Sequence, residues 1–277
     1  MKVKELLLEG DKHIHKDQSK LILSTLLNQN YLELTMNLDM EIDKEIENKF
    51  LNCINNIKNG KPIQYALNSV NFYGLEFYVD ERVLIPRFET EELVYNTNQY
   101  INKYFNNNIK VLDLGTGSGC IGLSLKHLNP SLNITLSDLS PYALEVAKLN
   151  SDNLKLDVNF KESNLFDNID SKFDVVISNP PYIAFCDEVD ELVINNEPHM
   201  ALFANNNGLE FYDRILSSVE KYLNDKYLIA FEIGSSQKED ILKLINKYLK
   251  DVKVITKQDI SKRDRMVFIF KNIEIVE

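Results

Sequence analysis

Apolar residues in the first sixty positions are spaced as in α-helices. They cluster in the segments 6–8, 21–27 and 42–57. Residues three and four apart share one face of a helix, so each segment predicts a helix with an apolar side to bury. The clearest repeat is Ile42, Ile46, Phe50, Ile54 and Ile57. Gly60 and Pro62 end the last helix, and we predict a helical domain over residues 1–68.

Short apolar and aromatic runs then surround Gly74 within residues 70–79. Two such runs on either side of a glycine are typical of a β-hairpin. We therefore predict two short strands here, and assign residues 69–88 as a β-hairpin linker.

From Lys110 onward, short apolar runs alternate with amphipathic stretches, after a predicted helix over residues 89–105. Strands that alternate with helices predict an α/β fold, in which a mainly parallel sheet is covered on both faces. We assign this Rossmann-like domain to residues 89–277. Ligands of such folds bind at the carboxyl ends of the strands. The predicted strands are residues 111–114, 134–136, 158–160, 175–177, 228–233, 252–255 and 266–270.

Composition narrows the class of protein. The formal net charge is −11 and the isoelectric point is near 5.0. This charge disfavours proteins that bind by neutralising many phosphates, so we expect no direct nucleic-acid partner. The three cysteines include no closely spaced pair, and we expect neither a disulfide framework nor a metal site. No segment suggests secretion or a membrane span, so a soluble, cytoplasmic protein is expected.

The first chemically informative segment is a glycine-rich turn that follows the strand 111–114. Glycines let the backbone turn tightly and approach a ligand, and the helix that follows offers N–H groups. We predict a nucleoside-bearing cofactor here. Because Gly117, Gly119 and Gly122 also match the dinucleotide fingerprint, the pattern alone leaves the cofactor open, and a tight turn without a ligand remains the structural alternative. The predicted cofactor-binding residues of the turn are Gly115, Thr116, Gly117, Ser118 and Gly119.

Asp138 follows the next strand, where an acid can accept hydrogen bonds from both ribose hydroxyls of a nucleoside. Dehydrogenases and methyltransferases both use this arrangement. The alternative role is that of an acid at a helix start, beside Ser140 and Pro141. The two roles are compatible.

The most informative segment is Asn179-Pro180-Pro181-Tyr182, directly after the strand 175–177. A residue before a proline is held in extended conformations, so the segment is stiff. The Asn179 side-chain oxygen and the Pro180 carbonyl can both accept hydrogen bonds, which suits the two hydrogens of one planar NH₂ group. Tyr182 would supply a flat face for that group. We predict Asn179, Pro180 and Tyr182 as catalytic, and Asn179 to Tyr182 as substrate-binding.

Such a pair of acceptors solves a chemical problem. The lone pair of an amide nitrogen is conjugated, so this nitrogen is a poor nucleophile toward a sulfonium methyl group. Acceptors whose hydrogen bonds strengthen as positive charge develops on nitrogen stabilise the transition state more than the ground state. A strong base is then not needed, since the methylated nitrogen can lose its proton late, to water.

With these motifs, the sequence resembles the protein-(glutamine-N5) methyltransferases of the HemK/PrmC type, which modify peptide chain release factors. The resemblance covers nearly the whole chain and is strongest after Gly60. It implies a seven-stranded methyltransferase domain, S-adenosyl-L-methionine as cofactor and S-adenosyl-L-homocysteine as product. The implied substrate is the glutamine of a Gly-Gly-Gln loop in a class 1 release factor, and we expect the helical domain over residues 1–68 to recognise this substrate. The matching segments are residues 60–65, 83–91, 111–119, 179–183, 197–198, 201–202, 208–212 and 232–234, with Asp259 and Arg265.

The resemblance also implies that Asn164 and Leu165 contact the cofactor, together with Asn179. Asn164 stands where the family usually has an acid that contacts the adenine amino group, and asparagine can still accept that bond. Phe88 stands where a proline is usual, which predicts a differently shaped linker beside the cofactor.

Other hypotheses stay open beside glutamine methylation in a release factor. An adenine-N6 nucleic-acid methyltransferase could use the same two acceptors, but it must extrude a base and grip a phosphate backbone, which the acidic charge disfavours. A ribosomal-protein glutamine is another possible substrate. A non-catalytic or NAD-type nucleotide binder would explain the glycine turn and Asp138, but not the Asn-Pro-Pro-Tyr segment.

Overall fold

A computed structural model describes residues 1–106 and 108–275 and divides the chain into two compact units. The N-terminal unit comprises residues 1–69 and 190–196, and the sheet unit comprises residues 70–189 and 197–277. The last two residues of the predicted 89–277 domain lie outside the described residues. The assignment of a separate role to 1–68, 69–88 and 89–277 stays a prediction, because compactness does not reveal what each part does.

The N-terminal unit is built from helices around a small apolar core. Its buried side chains include Leu6, Ile22, Phe50 and Ile54. The predicted helices are present, while α3 and α5 were not predicted because each is too short to show a periodic pattern. Its first five helices are α1 (Val3–Gly10), α2 (Lys16–Leu27), α3 (Tyr31–Met36), α4 (Lys44–Lys58) and α5 (Ile63–Leu67).

The predicted hairpin is present in the sheet unit as β1 (Val70–Phe72) and β2 (Leu75–Phe77), which pair antiparallel. Tyr73 and Gly74 connect the strands with φ of 52° and 76°. Two connecting residues with left-handed backbone conformation suit the right-handed twist of the two strands. The Tyr73 N–H donates to Glu91, which ties the turn to the next helix.

The elements after the hairpin follow the predicted alternation. The strands are β3 (Lys110–Leu114), β4 (Asn133–Asp138), β5 (Asn159–Glu162), β6 (Phe173–Ser178), β7 (Ile183–Ala184), β8 (Phe203–Ala204), β9 (Leu223–Glu232), β10 (Lys253–Gln258) and β11 (Asp264–Lys271). The helices are α6 (Phe88–Tyr104), α7 (Cys120–Leu128), α8 (Pro141–Leu154), α9 (Glu191–Asn196), α10 (Asn205–Gly208), α11 (Glu210–Ser218) and α12 (Lys238–Tyr248). Two 3₁₀ turns lie at His199–Ala201 and Val219–Tyr222.

Within the described residues, seven strands form one sheet in the order β10-β11-β9-β6-β3-β4-β5. Only β11 runs antiparallel to its neighbours in this sheet. The predicted α/β class and all seven predicted strands are confirmed. The strand order reverses around β3, since β4 and β5 lie on one side and β6 and β9 on the other. A ligand site is expected at the carboxyl ends of these strands.

The sheet has an apolar core on each face. One core includes Val111 and Val175, and the other includes Leu112 and Val176. Neighbouring residues of one strand point to opposite faces, so a strand covered on both sides is apolar throughout. No helix in the described ranges is long and apolar enough to span a bilayer.

Candidate functional site

A cavity in the sheet unit opens at the carboxyl ends of β3, β4 and β6. The segment after each of these strands contributes to its wall, as do the chain before α6 and the residues around β8 and α11. Most of the predicted site residues therefore share one cavity. The predicted residues that line it are Gly115, Thr116, Gly117, Ser118, Asp138, Asn164, Leu165, Asn179, Pro180 and Pro181.

The glycine turn has the backbone shape that its sequence predicts. Gly115 and Gly117 have φ of 75° and 55°, a region that disfavours side chains. Gly119 has φ of 83° and caps α7, but it faces core side chains and does not line the cavity among the described residues. Its predicted cofactor contact stays a prediction. Its observed role is to let α7 start against the sheet.

Hydrogen bonds within the protein already use several N–H groups of this turn. Those of Gly115 and Thr116 donate to the Ser137 carbonyl, at 2.8 and 2.9 Å. Asp113, buried on β3, accepts from the Thr116 hydroxyl at 2.6 Å and the Gly122 N–H at 3.0 Å. These donors hold the turn, so its contribution to a ligand site is mainly its shape.

Asp138 lies in the cavity wall at the end of β4. Its carboxylate accepts from the Gly117 N–H and the Ser140 N–H, both at 2.9 Å. Burial raises the pKa of Asp138. A carboxylate can accept about four hydrogen bonds, so two positions remain for hydroxyl groups of a ligand. Ser140 caps α8 through its own side chain, so Asp138 lies at a helix start as predicted, and its predicted contact with a ribose stays a prediction.

Asn164 and Leu165 contribute the wall beyond β5. Leu165 has φ of 52°, an uncommon conformation that turns the chain toward the cavity. The Asn164 side-chain oxygen accepts a hydrogen bond of 2.8 Å from Arg214. Arg214 in turn lies near Glu210 and over the Phe211 ring. The predicted acceptor is present, and any ligand donor must share it with Arg214.

Asn179 and Pro180 follow β6 and line the cavity, as predicted. The Ser178 hydroxyl donates to the Leu114 carbonyl at 2.6 Å, which holds the end of β6 to the end of β3. The Asn179 side-chain nitrogen donates to the Thr90 hydroxyl at 3.2 Å. Within the described residues, nothing donates to the Asn179 side-chain oxygen. The site therefore presents an acceptor beside the glycine turn and Asp138.

Tyr182 occupies a different place from the one expected. Among the described residues that line the cavity, Pro181 is present and Tyr182 is not. The Tyr182 hydroxyl donates to Glu232 at 3.3 Å, its carbonyl accepts from Gln237 at 2.8 Å, and burial raises its pKa. The predicted flat face toward the substrate stays a prediction. In the structure the ring packs inward.

Glu232, at the end of β9, is a buried carboxyl group next to this site. Its side chain accepts from the Thr90 hydroxyl at 2.6 Å and from Tyr182. Burial raises its pKa to about 7, although both hydrogen bonds and Arg265 act in the opposite direction. Sequence reasoning used Glu232 only as a mark of resemblance. Its position at the carboxyl end of a predicted strand was a signal that could have found it.

Another part of the cavity wall comes from the segments 83–91 and 197–198, which belong to the resemblance. Arg87 lines the cavity and pairs with the buried Glu197 at 2.5 Å, while Glu197 also accepts from the Ile85 N–H at 3.0 Å. These bonds hold the chain after β7 to the chain before α6. Phe185 is 71% exposed and stacks on Phe203, with 5.3 Å between ring centroids. The exposed ring of Phe185 therefore gives the cavity a flat apolar face.

The residues present suit a nucleoside. Asp138 has open acceptor positions for hydroxyl groups, and Asn164 offers an oxygen to an amino group. Leu114 and Leu139 are apolar residues of the same cavity wall. This donor and acceptor set fits S-adenosylmethionine.

Known proteins are similar to this chain over most of its length. A family model described as the methyltransferase small domain matches residues 90–202, and one described as the PrmC N-terminal domain matches residues 3–67. The release factor glutamine methyltransferase of Streptococcus pneumoniae is 37% identical over 268 residues, which cover 96% of this chain and 94% of that protein. The protein of the same name from Bacillus cereus is 38% identical over 259 residues, covering 91% and 92%.

A solved structure extends the similarity of fold. A methyltransferase from Pyrococcus furiosus has a TM-score of 0.53 at 18% identity, covering 78% of this chain and 96% of that one. At this identity the likeness concerns the fold alone.

Proposed function

The chain belongs to the release factor glutamine methyltransferases, and from this membership we propose that it methylates the Gly-Gly-Gln glutamine of a class 1 peptide chain release factor. The reaction transfers a methyl group to the side-chain amide nitrogen (N5). Family membership favours this hypothesis over the adenine-N6 alternative. Because release factors act during translation, we expect the enzyme to work in the cytoplasm.

The observation that carries the proposal is the shared cavity of Asn179 and Asp138. Asp138, the glycine turn, Asn164 and Leu165 would hold the nucleoside of S-adenosylmethionine. When bound, this cofactor supplies an electrophilic methyl group on a sulfonium sulfur. Asn179, Pro180 and Pro181 line the same cavity, so a substrate nitrogen bound by them would lie next to the cofactor.

The chain's own residues would act mainly by orientation. The Asn179 side-chain oxygen and the Pro180 carbonyl would accept hydrogen bonds from the two hydrogens of the glutamine amide. These bonds would hold the amide nitrogen so that its lone pair faces the methyl group. Both bonds strengthen as the nitrogen becomes positive in the transition state. By analogy with oxyanion-hole donors, one such group contributes about 3 kcal/mol to lowering the barrier. Phe185 and Pro181 would pack against the flat amide and exclude water.

A direct test is methylation of a purified release factor with isotopically labelled S-adenosylmethionine, followed by peptide mass spectrometry. We expect one methyl group on the glutamine of the Gly-Gly-Gln loop. A release factor with asparagine in place of that glutamine is the matched control and should stay unlabelled. Label on another residue, or in a nucleic-acid substrate instead, would overturn the proposal.

A further inference from the structure

Three side chains form a chain of hydrogen bonds from the cavity into the sheet unit. Asn179 donates to the Thr90 hydroxyl at 3.2 Å, and Thr90 donates to Glu232 at 2.6 Å. Thr90 is in the first turn of α6, and Glu232 ends β9. Thr90 and Glu232 are 2% and 1% exposed, so water does not compete for these bonds. β6 and β9 are parallel neighbours, which brings Asn179 and Glu232 to the same edge of the sheet.

The chemistry of these groups fixes the direction of each bond. An ionised carboxylate only accepts, so the single hydroxyl proton of Thr90 goes to Glu232. The Thr90 oxygen can then only accept from Asn179. The Asn179 amide must therefore turn its NH₂ group toward Thr90, which directs its oxygen away from Thr90. An asparagine amide has nearly the same shape in both orientations, so packing alone would not select between them.

We propose that Thr90 and Glu232 are positioning residues, which orient the Asn179 amide so that its oxygen, not its nitrogen, meets the substrate nitrogen. The inference rests on the proposed function, in which Asn179 accepts a hydrogen bond from the amide that is methylated. In the opposite orientation two NH₂ groups would face each other. The acceptor that stabilises the transition state would then be missing.

The protonation state of Glu232 controls the hydrogen-bonded chain of Glu232, Thr90 and Asn179, which we call the relay. A protonated Glu232 can donate to Thr90, which frees the Thr90 proton to donate to Asn179 and permits the wrong orientation. Since the pKa of Glu232 is raised to about 7 by burial, the correct orientation gains population as the pH rises through that value. The titratable groups that face Glu232 from the packed elements are Glu89 on α6, Cys120 on α7, Tyr182 after β6, Tyr212 on α11 and Arg265 on β11.

The test is single-turnover methylation of a release factor by the full chain and its variants, with S-adenosylmethionine affinity measured by calorimetry. Thr90→Val keeps the side-chain shape but removes the relay, and we expect turnover about 10- to 100-fold slower with unchanged cofactor affinity. Thr90→Ser keeps the hydroxyl and should remain within about threefold of wild type. Thr97→Val is the matched control, because Thr97 lies on the same helix, is fully buried, and has no partner for its hydroxyl among the described residues. It should leave turnover unchanged.

A double-mutant cycle separates positioning from general damage. Thr90→Val should have no further effect in an Asn179→Ala background, because the relay then has nothing to orient. Between pH 6 and pH 8 the wild-type rate should rise, and this rise should vanish in Glu232→Gln and in Thr90→Val. Additive effects, a parallel loss of cofactor affinity, or a rise that persists in Glu232→Gln would each overturn the relay.

A measurement without substrate keeps the relay distinct from the proposed function. In ¹⁵N-labelled protein, the Asn179 side-chain NH₂ should exchange slowly with water in the wild type and quickly in Thr90→Val. Equal exchange in both proteins would overturn the relay whether or not the release factor is methylated. Absence of methylation by the wild type, with the protected NH₂ still present, would overturn the proposed function alone.

Discussion

Asn164, which lines the cavity, accepts a 2.8 Å hydrogen bond from Arg214. A guanidinium group therefore already lies where a negative charge at position 164 would find its counter-ion. This relationship gives the departure from the family's usual acid a physical consequence.

We predict that Asn164→Asp binds S-adenosylmethionine more tightly. A carboxylate would pair with Arg214 and accept a stronger, charge-assisted bond from the adenine amino group, worth about 1 kcal/mol or roughly fivefold in Kd. Calorimetry measures this directly. Asn164→Ala is the control and should bind more weakly than wild type. Equal Kd values in all three proteins would show that adenine does not lie beside position 164.

Asn179→Ala should lose turnover while keeping the fold and cofactor binding. One of the two acceptors for the substrate amide is removed, so we expect a rate two to three powers of ten lower, or about 3 kcal/mol of transition-state stabilisation. Single-turnover kinetics gives the rate, and calorimetry the cofactor Kd. Near-normal turnover in this variant would contradict the proposed mechanism.

Arg87→Ala should destabilise the protein, because it leaves the Glu197 carboxylate buried without its cation. The Glu197 side chain is 2% exposed and that of Arg87 is 33% exposed. Removing one partner of a buried pair costs about 3 kcal/mol, and partial exposure of Arg87 reduces this to about 2 kcal/mol. Denaturant unfolding measures the loss.

The matched control for Arg87→Ala is Lys238→Ala. Lys238 pairs with Asp264, and the Asp264 side chain is 25% exposed where that of Glu197 is 2% exposed, while the two cations are similarly exposed at 32% and 33%. Its loss should cost less than about 1 kcal/mol. If the two variants are destabilised equally, the Arg87–Glu197 pair does not hold the cavity wall.

Glu232→Gln should be more stable than wild type at pH 8 and about equal at pH 4.5. Folding raises the pKa of Glu232 from 4.5 to about 7 through burial. Between these values the folded state binds more protons than the unfolded state, so the wild type loses stability as the pH rises. The difference in unfolding free energy at pH 8 should be about 3 kcal/mol. Thermal and denaturant unfolding across this pH range provide the measurement, and parallel curves for the two proteins would contradict the buried charge.

Most of the fold could be predicted from local patterns. The seven strands follow from runs of apolar residues, because a strand covered on both faces must be apolar along its length. The helix α6 was also predicted. The missed elements are short: α3 and α5 have at most six residues, and β7 and β8 have two each. Segments of this length form through contacts with the rest of the chain, and local sequence contains no periodic signal for them.

The candidate site could be predicted only where a residue directly follows a predicted strand. The glycine turn, Asp138 and Asn179 follow strands directly, so their meeting at one sheet edge follows from the fold class. Thr90 and Glu232 are 142 residues apart, and nothing in the sequence links them. The orientation of the Tyr182 side chain could not be predicted from the sequence either. Its hydroxyl donates to Glu232, which is 50 residues away.

The sequence by itself determined the class of fold, the family and the group of residues at the strand ends, because backbone conformation and apolar patterning act over a few neighbouring positions. Only the tertiary structure decided which groups carry charge in the interior and which way the Asn179 amide points. Burial and hydrogen-bond direction depend on atoms that distant segments bring together. A short stretch of chain cannot specify them.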